Sequence, residues 1–330
     1  MAEQFRWKTV EDDAQQSLFV SEADEQFERR KGVGEFRGLE FLHVRAKRII
    51  NELPGPSPMP FRFTINCYRG CSHACLYCFA RPTHEYLNLN LAEDFEQKIV
   101  VKINAVERVR AELRSAKWCR EGIAMGTNTD PYQRAEGRYQ LTRGVIRELS
   151  DAHNDFSVLT KGTLVTRDLD LLVVAAQHAD VKVNFSIPTV DESVWRSTEP
   201  GTPHPLKRIE ALRKLTDAGL ECGVLMAPIL PGLSDSRAQM NDVIERCVDA
   251  GAGWIAASAL HLRRGVKQHW MQWLTSAHPE LVRAYQSKYA GRSYLPPDHR
   301  RRVAAQAKQL VARKQNSRRL SPDDGVRRTP

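Results

Sequence analysis

The sequence predicts an α/β protein built on an incomplete (β/α)6 barrel of the TIM type, with N- and C-terminal extensions. Three observations point there. Between about residue 61 and residue 265, short β-rich runs alternate with segments of helical period; the runs read as buried on both faces; and six of them are present. Such strands, separated by helices, form parallel βα units whose right-handed crossovers lead to a barrel or to an open doubly wound sheet. Six units fall short of the eight that close a full barrel, which favours a partial barrel with a lateral mouth over its doubly wound rival.

Taken in order, the runs are FRFTINCY (61–68), GIAMGTN (122–128), FSVLTKG (156–162), VKVNFSIPT (181–189), CGVLMAPIL (222–230) and WIAASALHL (254–262). Between them lie helical patterns. PLKRIEALRKLTDAG sets Leu206, Ile209, Leu212 and Leu215 on one face, with Pro205 at its start and Gly219 where a C-terminal cap belongs. MNDVIERCVDAG repeats the design with Met240, Val243, Ile244, Cys247 and Gly251. Thr142 and Thr166 are candidate N-caps for two further helices. VKQHWMQWLTSAHPELVRAYQSKY reads as helical, anchored by Trp270, Trp273 and Leu274.

Composition divides the chain into three parts. Residues 1–60 form an acidic extension and linker, with ten acidic and six basic side chains in the first forty positions and a Pro-rich NELPGPSPMP at its end. Residues 61–265 form the core. Residues 266–330 form a helical, basic extension: positions 297–330 hold ten basic and three acidic side chains of a chain whose net charge is +9. There, DHRRRVAAQAKQLVARKQN is expected to pack Val303, Ala307, Leu310 and Val311 inward, and SRRLSPDDGVRRTP has too little apolar content to order itself. No run approaches eighteen uncharged apolar residues and the start lacks the order of a secretory signal, so a cytoplasmic location away from membranes is expected.

Four of the seven cysteines fall within NCYRGCSHACLYCFARP (66–82), directly after the first strand, where ligands of βα proteins gather. An odd count and this crowding suit a metal in a reducing compartment better than disulfides. Cys67, Cys71, Cys75 and Cys78 give C-x3-C-x3-C-x2-C. Four thiolates suffice for a tetrahedral zinc, although zinc knuckles usually pair C-x2-C hooks, and only Cys75 with Cys78 forms one. Alternatively, Cys71, Cys75 and Cys78 alone give C-x3-C-x2-C, and three thiolates on a 4Fe-4S cube leave one iron without a protein ligand. Spacing by itself leaves both open.

The stretch CSHACLYC, with an aromatic residue just before the last cysteine, resembles the signature of the radical S-adenosylmethionine enzymes. The wider YRGCSHACLYCFARPTHEYL, together with GTNTDPYQ, is similar to spore photoproduct lyase and its DNA-repair-photolyase-like relatives over roughly residues 61–265. The resemblance implies a 4Fe-4S cluster on Cys71, Cys75 and Cys78, S-adenosylmethionine on the open iron, a one-electron donor such as a flavodoxin or ferredoxin, and reductive cleavage to a 5′-deoxyadenosyl radical that takes hydrogen from a substrate. Cys67 then stands outside the triad as a buried thiol or spare ligand. A sulfonium with an amino acid tail needs acceptors for its ammonium, a donor for its carboxylate and a slot for its adenosine. The resemblance puts the ammonium at Thr127, Asn128, Thr129 and Asp130 after the second strand, a stretch that also reads as an Asx-turn before Pro131. It puts the carboxylate at Lys161, the ribose at Ser186 and adenine beside Tyr77. His73 reads as a structural histidine.

For the substrate, a nucleic-acid lesion or base is the leading expectation, with phosphates met by Arg263, Arg264, Lys267 and the basic tail, and by Arg69 and Arg81 beside the cysteines. One departure counts against identical repair chemistry unless Tyr132 or another donor substitutes: photoproduct lyase carries a hydrogen-donating cysteine by its second strand, and AMGTNTDPYQ has none. The alternatives are the same radical chemistry on a small molecule or peptide, or a non-catalytic zinc-bound nucleic-acid adaptor.

Overall fold

The computed structural model describes residues 27–55 and 59–320. Its strands are β1 (Glu28–Lys31), β2 (Glu40–Val44), β3 (Ile50–Glu52), β4 (Phe63–Ile65), β5 (Tyr68–Arg69), β6 (Lys98–Lys102), β7 (Ile123–Met125), β8 (Phe156–Thr160), β9 (Val181–Ser186), β10 (Glu221–Ile229) and β11 (Trp254–Ala259). Its α-helices are α1 (Glu93–Gln97), α2 (Ala105–Leu113), α3 (Arg134–Tyr139), α4 (Leu141–Asp151), α5 (Leu169–Ala175), α6 (Glu192–Thr198), α7 (Pro205–Asp217), α8 (Arg237–Asp249), α9 (Val266–Ala277), α10 (Val282–Lys288) and α11 (Pro297–Leu320).

Each of the six expected runs contains a strand. The larger sheet has the order β11-β10-β9-β8-β7-β4-β3, and every neighbouring pair from β4 to β11 is parallel. The order never reverses. A doubly wound sheet reverses at its switch point, so the strand order is that of a sheet wound continuously in one direction. Carboxyl ends of six successive strands therefore share one rim, and the cysteine segment leaves from the first of them. One face is sealed: Ile123, Met125, Val158, Val183, Phe185, Val224 and Met226 are all at most 2% exposed. On the other face Ser157, Leu159, Lys182, Asn184 and Leu225 are half-buried, and β11 is buried only at Ala259. The burial on both faces expected from the sequence therefore holds for β4 and β7 and not for the later strands. Helices supply the outer layer. On α7, Ala211, Leu212 and Leu215 are buried, Pro205 occupies the first turn, and Gly219 just past the end has φ +86°. Leu206, expected on that face, is 39% exposed instead.

Unforeseen strands complete the fold. β3 lies antiparallel on β4 and takes in Asn51 and Glu52 of the stretch expected to be linker, and a second sheet of order β1-β2-β6-β5 lies beside the first. Residues 1–26 and 56–58 of the expected extension lie outside the described residues. The second sheet matters to the site because β6 pairs with β5, which sits between Cys67 and Cys71, and so holds the cysteine segment from outside.

Neither predicted threonine cap is one. The Thr142 hydroxyl donates to the Pro131 carbonyl, and the first-turn N–H groups of α4, Thr142 and Arg143, donate to the buried carboxylate of Glu136 at 2.9 and 3.2 Å. Thr166 lies inside a 3-10 turn ahead of α5. A carboxylate from the preceding helix thus does the work a capping side chain would do. At the C-terminus, Pro279 divides the expected helical segment into α9 and α10, with Trp270 and Leu274 fully buried. α11 packs on β11 and α8 through Val303, Ala307 and Leu310, and continues to Leu320, past the expected end. Residues 321–330 of the expected flexible tail lie outside the described residues.

Candidate cofactor site

The cysteine loop begins where β5 ends. Gly70 has φ +81°, and a Cβ there would meet the His84 ring at 2.8 Å, so the turn admits only glycine. Beyond it the Cys71 N–H donates to Phe95 O at 2.9 Å, and Ala74 takes the left-handed conformation with φ 54°. That conformation costs an alanine roughly 1–2 kcal/mol, and Arg81 offsets it. Its fully buried guanidinium donates to Cys75 O at 2.9 Å, Ala74 O at 3.1 Å, Leu91 O at 3.0 Å and Ala92 O at 3.1 Å, and pairs with Glu96.

Cys71 and Cys75 are buried and Cys78 is half-buried; all three thiols are free. Burial, then the neighbouring Cys71 thiol, pushes Cys78 up to about 11, and burial likewise raises Cys75. Thiols that resist ionisation alone become ligands when a cationic centre supplies the compensating charge. Cys67 belongs elsewhere. It lies beside Lys102, Glu136 and Thr142, and burial and Glu136 push it up to about 12. Among the described residues, no three His, Cys, Asp or Glu side chains gather closely enough for a single metal ion.

Four of the expected cofactor residues meet at the strand ends. Lys161, just after β8, donates its N–H to Asp130 Oδ2 at 2.6 Å, and its ammonium to Ser186 Oγ and Glu199 Oε1, both at 2.8 Å. The same ammonium lies 5.7 Å from the ring centroid of Tyr77. Asp130 also accepts from Thr160 Oγ1 and from the Tyr132 N–H, the second bond closing the Asx-turn read from the sequence. His73 Nδ1 lies 3.3 Å from Asp130 Oδ2; burial opposes its charge, yet Asp130 and Cys71 raise it to about 10.

The remaining expected residues hold the loops together. Asn128 and Thr129 donate their N–H groups to Asn66 Oδ1, and Thr127 Oγ1 accepts from Asn66 Nδ2 at 3.4 Å. The Thr129 hydroxyl donates to Gly70 O at 2.7 Å, toward the cysteine loop. Ser186 donates its single O–H to Ala227 O at 3.0 Å.

Glu199 and Arg208 were not anticipated. Glu199, 1% exposed, accepts from Lys161, from the Tyr77 hydroxyl and from Arg208 Nη2 at 2.5 Å. Burial opposes its charge, but Arg208 and Lys161 hold it down at about 2. Arg208, fully buried, also donates to Ser186 O and Pro203 O. The sequence did carry a signal: Arg208 stands on the apolar stripe of α7 with Ala211, Leu212 and Leu215, where a cation requires a buried partner.

Several expected basic contacts are taken up inside the protein. Arg69 is 4% exposed and bonds Thr83 O, and Arg81 is fully enclosed, so neither presents a guanidinium to a phosphate. Lys267 Nζ donates to Tyr289 O at 2.5 Å. Arg263 reaches Phe79 O at 3.4 Å, beside the 42% exposed Phe79 ring, and Arg264 is exposed. Tyr132 is 2% exposed and donates to Asp168 at 3.1 Å, beside the buried carboxylates of Asp168 and Glu136 and the half-buried Arg143 and Arg167 that pair with them, so its hydroxyl is engaged there.

A parallel βα sheet with a three-thiol loop at the end of its first strand defines a class, and residues 65–244 match the Radical SAM superfamily. The chain belongs to that superfamily. Among its relatives, an uncharacterized protein of Mycobacterium tuberculosis (strain ATCC 25618 / H37Rv) is 45% identical over 279 residues, covering 84% of this chain and 82% of its own. One of Methanocaldococcus jannaschii is 30% identical over 199 residues, covering 60% and 70%. Among solved structures, spore photoproduct lyase complexed with dinucleoside spore photoproduct is similar with a TM-score of 0.60 at 15% identity, covering 83% of this chain and 79% of that one. A mutant of the same enzyme with bound AdoMet and dinucleoside spore photoproduct gives 0.60 at 16%, covering 78% and 76%. These likenesses show a shared fold.

Proposed function

We propose that the protein is a radical S-adenosylmethionine enzyme with a 4Fe-4S cluster on Cys71, Cys75 and Cys78, in a six-unit partial barrel whose rim holds the cofactor. When bound, the cluster and S-adenosylmethionine supply, after one-electron reduction, a 5′-deoxyadenosyl radical for hydrogen abstraction. The observation that carries this reading is the group beside the thiols. Lys161, Arg208 and the His73 paired with Asp130 bring three positive charges, and Glu199 and Asp130 two negative, which leaves a nearly enclosed site one negative charge short. A single carboxylate supplies it.

The chain's own residues bind and orient. Lys161 faces the carboxylate, Asp130 and the 127–129 segment the ammonium, and Ser186 and Tyr77 the adenosine. Seven free cysteines suit a reducing compartment, with a flavodoxin or ferredoxin as electron source. Among the described residues, no helix is long and apolar enough to cross a membrane. Anaerobically reconstituted protein is expected to form 5′-deoxyadenosine from S-adenosylmethionine on reduction, and Cys75→Ala to abolish it. Undiminished product from the variant would overturn the assignment.

For the substrate, the supported reading is a nucleic acid with an accessible base. Exposed Phe79 directly after Cys78, with Arg263 beside it and Arg264 next along, offers an aromatic face and cations at the cluster side of the rim. Short single strands are expected to bind in fluorescence anisotropy with affinity falling steeply as salt rises. Binding that ignores salt would remove this reading and return the choice to a small molecule or peptide.

A further inference from the structure

The charged group at the ends of β8 and β9 is held more tightly than a binding lysine requires, and the excess lies at Glu199. We propose that Glu199 is a positioning residue: it aims the Lys161 ammonium at the carboxylate of the adenosyl cofactor and couples that lysine to the cysteine loop through Tyr77. The inference rests on the reading of Lys161 as the carboxylate partner.

Lys161 is fixed at both ends. Its backbone N–H is held by Asp130 at 2.6 Å, while Ser186 and Glu199 each take one ammonium proton at 2.8 Å. An ammonium has three protons, so one remains to be offered. Free lysine chains populate many rotamers, and ordering one during binding weakens affinity; a lysine ordered beforehand avoids that cost.

Glu199 can act as the anchor because it is itself immobile. Arg208, fully buried, grips one carboxylate oxygen, and Thr202 lies 3.4 Å from it. The segment around Glu199 is bonded to the cysteine loop through Leu76 N–H to Thr198 O at 3.0 Å and Gly201 N–H to His73 O at 3.1 Å. Contact at Gly201 is so close that a Cβ would fall 2.1 Å from Ser72 O. Because the Tyr77 hydroxyl donates to the same carboxylate, one residue orients the lysine and the aromatic ring between two thiol ligands.

Glutamine at 199 would turn an amide N–H2 toward one of two cations. Arg208 is enclosed and braced, so Lys161 is the group that yields. The test compares two probes by calorimetry on the cluster-loaded protein: S-adenosylhomocysteine, and 5′-deoxy-5′-(3-aminopropylthio)adenosine, which differs from it only by lacking the carboxylate. Glu199→Gln is expected to weaken S-adenosylhomocysteine about tenfold more than the aminopropyl probe, any loss the two share reporting the Tyr77 contact with their common adenosine. Glu199→Asp, which keeps the charge but shortens the reach, is expected to show the same selective loss, and serves if the glutamine variant does not fold. Equal loss of both probes would mark a structural role and overturn the proposal, as would unchanged or tighter S-adenosylhomocysteine binding in the folded variants. Lys161→Met separates the two layers: if it binds both probes as the native protein does, the carboxylate reading fails; if it loses S-adenosylhomocysteine while the Glu199 variants do not, only the role of Glu199 fails.

Discussion

Gly126 shows how a single backbone position governs the rim. It follows β7 at φ +87°, and a Cβ there would lie 1.9 Å from Leu159 O and 3.2 Å from the Pro131 ring. Any side chain would force β7 and β8 apart where Asp130 and Lys161 are joined. Gly126→Ala is therefore expected to cost about 2–4 kcal/mol, combining the left-handed penalty with overpacking, as measured by urea unfolding. A loss under about 0.5 kcal/mol, the scale of an inconsequential surface change, would show that the loop relaxes freely. At this same scale the spacing of Cys71, Cys75 and Cys78 is the signal on which the proposed cluster rests, and the sequence was legible where an Asx-turn announces itself before a proline. It was not legible for Glu199, because its partners lie 9, 38 and 122 residues away and no local pattern links them. Arg69 and Arg81 mislead for a related reason. Composition counts their charge, but only the fold reveals that their guanidinium groups bond carbonyls inside the protein.

Among the elements, the six parallel strands were readable because β-branched and aromatic residues recur at every second position, as in Phe156 and Val158 or Val181, Val183 and Phe185, which form the buried face, with glycine or proline at the boundaries. The second sheet escaped. β1 is exposed at every residue and β5 has only two, so neither carries an apolar signature; pairing with β2 and β6 makes them strands. Helix α4 makes the same point at its start. Its cap is the carboxylate of Glu136, which is fully buried and also pairs with Arg167 at 2.8 Å, so the threonine that looks like a cap in sequence is free to bond Pro131. Elements that line the rim are thus positioned twice: by their own apolar pattern, and by buried polar groups arriving from distant segments. The first kind of information is local in sequence, the second is not.

Across the whole molecule, those buried polar groups tie stability to pH. His84 is fully enclosed between the cysteine loop and β6, its Nε2 2.9 Å from Lys98 O, and burial first, despite that bond, pushes its pKa down to about 4 from 6.5. A histidine lowered on folding is protonated first in the unfolded chain. Its contribution is complete above pH 6.5, declines as pH falls toward 4, and is flat below. Glu199, lowered from 4.5 to about 2, adds its own loss as pH falls from 4.5 toward 2. The two windows adjoin, so stability should fall continuously on acidification, each group accounting for at most about 3.5 kcal/mol at 1.36 kcal/mol per unit. His261 and His269, also lowered to about 4, share the upper window but are less enclosed. Urea midpoints measured at pH 7, 5.5 and 4.5 are expected to drop steadily, and His84→Gln, whose amide can still donate to the Lys98 carbonyl, to drop less over that interval. If the variant and the native protein lose stability in parallel between pH 6.5 and 4, His84 is not held neutral by the fold, and the loss over that interval comes from other groups, His261 and His269 among them.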